Sequence, residues 1–218
     1  VKKSKVNRAA LPGTVGNFDR CQTPAEALLP ILPWVWGRKV WEPAAGDGIM
    51  AAELAKVATV TTTDLLTGND FLKPWSDPWK SPEFDVIVTN PPFSLKYKFL
   101  ARCYEYKIPF ALLMQVDVFG AKTAQRLFEK NGAQVILLDR RINFKMPNLG
   151  WAGGGSHFAV AWFTWGLGLP NELNYYWMPP PACPYCQSEL IRERRETGDY
   201  CEKCGGKVGQ PPKKKVAK

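Results

Sequence analysis

The sequence lacks any apolar run approaching the roughly 20 residues that a bilayer-spanning helix needs. A basic N-terminus is present, but no apolar stretch of the signal-peptide kind follows it. The expectation is therefore an intracellular protein, cytoplasmic or nuclear. There are no internal repeats, which excludes repeat architectures. The one histidine, His157, is read as a structural residue at a strand edge rather than a base. Six cysteines in an intracellular setting indicate metal binding or buried thiols more than disulfides. What remains is a chain of 218 residues with an ordinary apolar fraction of 45%. That is room for one sizeable domain with a full core, plus a small appendage.

Acidic residues are missing from both ends. Lys2, Lys3, Lys5 and Arg8 stand at one end, and Lys207, Lys213, Lys214, Lys215 and Lys218 at the other. These ends account for the whole formal excess of +9, so residues 9–206 balance. Such tails suit phosphate contacts and steering to nucleic acid; solvated ends are the alternative. The Pro-Pro-Lys-Lys-Lys run from Pro211 also resembles a nuclear import signal, a pattern too common to decide anything.

Between the tails, helical and β-type patterns alternate. Thr23 and Glu26 around Pro24 form a capping-box pattern and predict a helix over residues 25–32, cut short by Pro30 and Pro33. Strands are expected at 39–41, 59–63, 85–89, 110–114, 134–138 and 158–165. Helices are expected at 49–57, 95–106 and 121–130. This alternation predicts an α/β fold, Rossmann-like, with a mostly parallel sheet and helices on both faces. Trp34, Trp36, Trp75 and Trp79 are assigned by default to core or lid.

Two segments carry chemistry. The first is the turn Glu42-Pro43-Ala44-Ala45-Gly46-Asp47-Gly48, at the carboxyl end of the first strand, where open parallel sheets bind ligands. Gly46 and Gly48 allow a tight turn and a close backbone approach. The G-x-G-x-x-G spacing is absent, and Glu42 and Asp47 would repel phosphate, so the loop suits a cationic ligand. Asp64 ends the second strand, 16 residues after Gly48, where a carboxylate can accept from a ribose diol. Asp70, before Phe71, is a candidate acceptor for an adenine amino group.

The second segment is Asn90-Pro91-Pro92-Phe93, delivered by the third strand. An aromatic amine is a poor nucleophile because its lone pair is delocalised into the ring. Acceptors aimed at its two N–H groups favour a tetrahedral nitrogen and hold the attack angle. The Asn90 side chain and the Pro91 carbonyl can supply both. The prolines stiffen the loop and remove two competing N–H donors. Phe93 offers a face on which a base can stack.

Together these segments resemble motifs I and IV of the class I amino-methyltransferases, especially the DNA N6-adenine methyltransferases. The resemblance covers about residues 17–165. It implies S-adenosylmethionine as cofactor, held by Glu42, Pro43, Ala44, Gly46, Asp47, Gly48, Asp64 and Asp70. It implies that Asn90, Pro91, Pro92 and Phe93 hold the target amine. Phe18 to Pro24 is similar to the family's N-terminal motif, in which Thr23 would touch the methionine carboxylate. Arg141-Ile142-Asn143-Phe144 is similar to the region that supports a flipped base. RNA and protein-glutamine methyltransferases carry closely similar tetrapeptides. A long target-recognition region is missing, which points to low sequence specificity. DNA is favoured over RNA as partner; a catalytically dead nucleic-acid-binding or docking adaptor is the non-enzyme alternative.

Beyond a linker at 167–182, Cys183, Cys186, Cys201 and Cys204 form two C-x2-C pairs with fourteen residues between them. Four thiolates make a closed tetrahedral site for structural zinc, the staple that so short a segment needs. Arg192, Arg194 and Arg195 between the pairs fit nucleic acid, and a protein partner for the ribbon is the other option. The expected organisation is a basic arm (1–16), a methyltransferase domain (17–166), the linker, a zinc ribbon (183–206) and a basic tail (207–218). Cys21 and Cys103 are left as free thiols.

Overall fold

The computed structural model describes residue 19 and residues 21–73, 83–146, 150–151 and 158–176. The chain divides into two compact units, Val1–Tyr176 and Trp177–Lys218, and every described residue belongs to the first. Both basic tails, His157, Trp75, Trp79 and the four ribbon cysteines lie outside the described residues.

Strands β1 (Lys39–Glu42), β2 (Thr59–Thr62), β3 (Val86–Thr89), β4 (Phe110–Gln115) and β5 (Gln134–Leu138) fall close to the expected places. Two short strands follow, β6 (Lys145–Met146) and β7 (Gly150–Trp151), which pair with each other outside the main sheet, β6 also bridging to Gln22. Strands β8 (Val160–Trp165) and β9 (Leu173–Tyr176) complete a seven-stranded sheet of order β2-β1-β3-β4-β8-β5-β9. All its pairings are parallel except those of β8, which runs antiparallel to both β4 and β5. The sheet is thus mixed α/β and mostly parallel. The strand expected last is inserted into the middle of one half. The stretch read as the start of a linker carries the edge strand β9. Its Gly- and Pro-rich surroundings hide that strand in the sequence, because an edge strand needs no continuous apolar run.

The helices are α1 (Leu32–Val35), α2 (Ile49–Leu54), α3 (Lys96–Tyr106) and α4 (Lys122–Asn131). The chain moves from β1 through α2 to β2 on one side, and from β3 through α3 to β4 on the other. Right-handed crossovers in opposite directions place α2 and α3 on opposite faces. The order therefore reverses between β1 and β3. Their carboxyl ends flank the crevice where such sheets take ligands.

The expected helix over 25–32 is replaced by a 3-10 turn at Ala25–Leu28 and the separate one-turn α1. Pro30 has no N–H to give to the carbonyl of Glu26, so an α-helix cannot run through it. Pro24 occupies the cap position without a side-chain bond, and Thr23 is buried instead of capping. The turn is fastened from afar: Trp162 Nε1 on β8 donates to the Ala27 carbonyl at 2.7 Å.

Strand β3 is buried along its whole length, as its apolar run Val-Ile-Val requires of a central parallel strand. One part of the core centres on Trp41, whose ring stacks on Phe84 at 5.1 Å and meets Phe71 edge-on at 5.2 Å. Trp36 departs from its assignment to core or lid, lying 71% exposed just after α1. Among the described residues no helix is long and apolar enough to cross a membrane.

Candidate active site

The crevice at the reversal point is a cavity of about 390 Å³. Its floor follows from the turn after β1. Gly46 and Gly48 have φ of +52° and +78°, a left-handed region that costs any other residue about 1–2 kcal/mol. A Cβ at Gly46 would also stand 2.6 Å from Gln22 Nε2, the movable end of that side chain, so the positive φ is what calls for glycine here. Asp64 tightens the loop: its Oδ2 accepts from Gly46 N–H at 2.9 Å and its Oδ1 from Leu66 N–H at 2.8 Å. Each carboxylate oxygen still has acceptor capacity for a diol.

Five carboxylates line the cavity: Asp19, Glu42, Asp47, Asp64 and Asp70. Among the described residues Lys145 is the one cationic residue that lines it. Such walls repel polyphosphate and favour a ligand carrying positive charge. Glu42 lies deepest, 1% exposed, with Oε2 lacking any hydrogen-bond partner. Burial, assisted by the nearby Asp64 charge, pushes its carboxyl up to about 8. A buried acceptor with no donor costs roughly 1–3 kcal/mol, a cost that a ligand donor would relieve. The apolar side is lined by Met50, Leu65, Leu66, Phe71 and Phe99.

Asn90 enters the same cavity from the end of β3. Its Oδ1 is also buried and without a partner. Pro91 is buried, and Pro92 begins a 3-10 turn over Phe93–Leu95 that runs into α3. Lys96, at the start of α3, is buried and fastens this segment to the end of β4: its Nζ donates to Gln115 Oε1 at 2.7 Å and pairs with Asp117 Oδ1 at 2.9 Å. Phe93 turns to an aromatic group, meeting Phe144 edge-on at 6.0 Å and Phe158 at 5.2 Å.

Of the residues singled out in the sequence, Thr23, Glu42, Pro43, Ala44, Gly46, Asp47, Asp64, Asp70, Asn90 and Pro92 line the cavity. Gly48, Pro91 and Phe93 do not; they shape its loops. Sequence reasoning gave Gln22 no role beyond its place in the Phe18–Pro24 segment and missed Lys145 and the Lys96 anchor. Gln22 Oε1 accepts from Asp47 N–H at 3.3 Å, and its main chain pairs with Lys145 at 2.9 and 3.0 Å. No local pattern marks such residues, because their partners lie 19–123 residues away. Cys21, also lining the cavity, and Cys103 are thiols outside any disulfide. Burial raises both, and Asp19 adds to the rise at Cys21.

In fold, the chain is similar to solved methyltransferase structures. A methyltransferase subunit of a type I restriction-modification system from Streptococcus thermophilus superposes with a TM-score of 0.52, at 14% identity over 72% of this chain. The chain spans about half of that subunit, 47% of its length. A protein from Listeria monocytogenes assigned as a class I S-adenosylmethionine-dependent methyltransferase gives 0.50 at 12% identity, covering 73% of this chain and 66% of that one. No protein-family model matches the sequence. No curated protein matches it significantly.

Proposed function

We propose that this chain transfers a methyl group from S-adenosylmethionine to the N6 amino group of adenine in DNA, with low sequence specificity. The observation that carries the reading is the placement of Asn90. Its unpartnered amide oxygen shares one acid-lined cavity with the glycine turn, on a methyltransferase fold. The cavity fits the cofactor on three counts: carboxylates for a sulfonium and an ammonium, an orphaned Glu42 oxygen, and Asp64 at the end of β2 for the ribose. When bound, S-adenosylmethionine supplies a methyl carbon made electrophilic by the sulfonium.

The protein's own part is positioning. Asn90 Oδ1 and the Pro91 carbonyl accept from the two N–H groups of the target amine and turn its lone pair toward the methyl carbon. The amine is out of reach inside a stacked duplex, so the base must be flipped out. Phe93, with Phe144 and Phe158 beside it, provides the apolar face that receives it. The proton leaves after transfer and needs no dedicated base.

The basic ends supply salt-sensitive backbone affinity, which favours a polyanion over a peptide. The type I restriction-modification subunit gives DNA some preference as substrate. RNA amines and protein glutamine are the rival substrates, and a dead adaptor is the rival to any enzyme. Labelled cofactor should be offered to duplex DNA, single-stranded DNA, RNA and a Gln-containing peptide, and the product identified by mass spectrometry. N6-methyladenine in DNA is the expected result. Label in RNA or peptide alone would reassign the substrate, and no cofactor binding at all would favour the adaptor.

The reading extends to the C-terminal unit, in which Cys183, Cys186, Cys201 and Cys204 would hold one structural zinc. Elemental analysis of purified protein should find about one zinc per chain. Four freely reactive thiols and no stoichiometric metal would overturn it.

A further inference from the structure

The tetrapeptide loop has a supply problem. Pro91 and Pro92 lack N–H groups, and the turn that follows begins with Pro92 as its cap, with no side-chain cap bond. The first N–H groups of such a segment have no partner within it. One of them, Ser94 N–H, is taken by Asp19, 75 residues earlier in the chain. Asp19 Oδ1 accepts from Ser94 N–H at 3.0 Å, and Asp19 Oδ2 from Ser94 Oγ–H at 2.7 Å. One carboxylate grips both the main chain and the side chain of the residue directly after Phe93. Two bonds from one planar group fix orientation as well as distance.

The segment carrying Asp19 is itself held at the cofactor end. Three residues on, Gln22 accepts from Asp47 N–H of the glycine turn and pairs through its main chain with Lys145 of β6. Asp19 and Gln22 both line the cavity, whereas Ser94 does not. Asp19 and Gln22 therefore tie the loop after β3 to the loop after β1, beyond the point where the pairing of the two strands ends.

We propose that Asp19 is a positioning residue, which through its paired hydrogen bonds to Ser94 sets the amine-binding loop Asn90–Phe93 in register with the cofactor cavity. The inference rests on the reading of that loop as the amine site. A loop displaced by about 1 Å costs up to roughly 100-fold in rate. Asp19→Ala should lower kcat about 10- to 100-fold at saturating cofactor, a loss of orientation rather than of binding. Asp19→Asn keeps both contacts, since its oxygen can accept from Ser94 N–H and its amide can donate to Ser94 Oγ. It should retain clearly more activity than Asp19→Ala, because both contacts to Ser94 are kept. Ser94→Ala should lower kcat while leaving the affinity for S-adenosylhomocysteine unchanged in calorimetry. The Asp19→Ala/Ser94→Ala pair should be no worse than Asp19→Ala alone.

A second readout does not depend on activity. Amide hydrogen exchange at Ser94 and Leu95 should be faster in Asp19→Ala than in wild type or Asp19→Asn. The proposal is overturned by unchanged exchange in Asp19→Ala, by additive losses in the double variant, or by an Asn variant as impaired as the Ala variant. Accelerated exchange in a protein that methylates nothing would keep the clasp and sink the proposed function instead.

Discussion

Asn90→Ala is expected to lower methyl transfer by at least about 100-fold while cofactor affinity stays within a few-fold, the size of effect seen when one preorganised polar group is removed from a reacting centre. The loss should fall on kcat, because the amide oxygen acts on the target nitrogen and improves its geometry only as the methyl carbon approaches. On the proposed reading the cofactor rests on other groups: the glycine turn, Asp64 and Glu42. Removing the Asn90 side chain also removes a buried acceptor that has no donor in this structure, so the variant should be no less stable than the parent. The checks are single-turnover transfer from labelled cofactor, calorimetry with S-adenosylhomocysteine and a denaturation curve. Full activity in Asn90→Ala would show the mechanism to be wrong, whatever the substrate.

The next-largest effect is expected from Glu42 and depends on pH. Folding raises this carboxyl from an ordinary 4.5 to about 8, through burial first and the Asp64 charge second. Between those values the folded chain holds a proton that the unfolded chain has released. Stability contributed by this group therefore falls as pH rises through the window and is level above about 8. The difference amounts to about 5 kcal/mol at most, from the stretch between 4.5 and about 8 and the ~1.4 kcal/mol attached to each pKa unit. Glu42→Gln, which cannot ionise, should be more stable than the parent at pH 8 and should lose this component of the slope.

Cofactor binding should run the other way. A cationic ligand beside Glu42 favours the carboxylate, so at pH 7 binding should release a proton and tighten as pH rises toward about 8. Calorimetry in buffers of different ionisation enthalpy measures that proton directly. The gap between the parent and Glu42→Gln isolates this residue from the titration of the ligand itself. Equal proton release in both would place Glu42 away from the cationic end of the cofactor.

The parts legible in the sequence share one property: their chemistry is local. A turn needing φ above zero calls for glycine at Gly46 and Gly48. Two prolines without N–H groups end a strand and stiffen the loop at Asn90–Phe93. An apolar run such as Val86–Val88 belongs in a buried strand, and a carboxylate such as Asp64 follows at the end of the next strand along. These constraints act within a few residues, so alternation, strand placement and the two loops that meet at the cavity could be read without knowing the fold.

Tertiary structure alone decided the rest. Nothing local tells Val160–Trp165 to enter the sheet antiparallel between β4 and β5, or Leu173–Tyr176 to form its edge, because strand order depends on which neighbours remain unpaired after collapse. Pro30 breaks the helix expected at 25–32 locally, but only the fold supplies Trp162 as the donor to the Ala27 carbonyl of the turn that replaces it. Asp19 looks like any surface carboxylate until the fold brings Ser94 within 3.0 Å of it. Glu42 looks like any loop acid until burial beside Asp64 shifts its proton affinity. A side chain's type is written in the sequence, but its partners and its access to water are set by segments up to 135 residues away, and those fix the charge it carries and the geometry it holds.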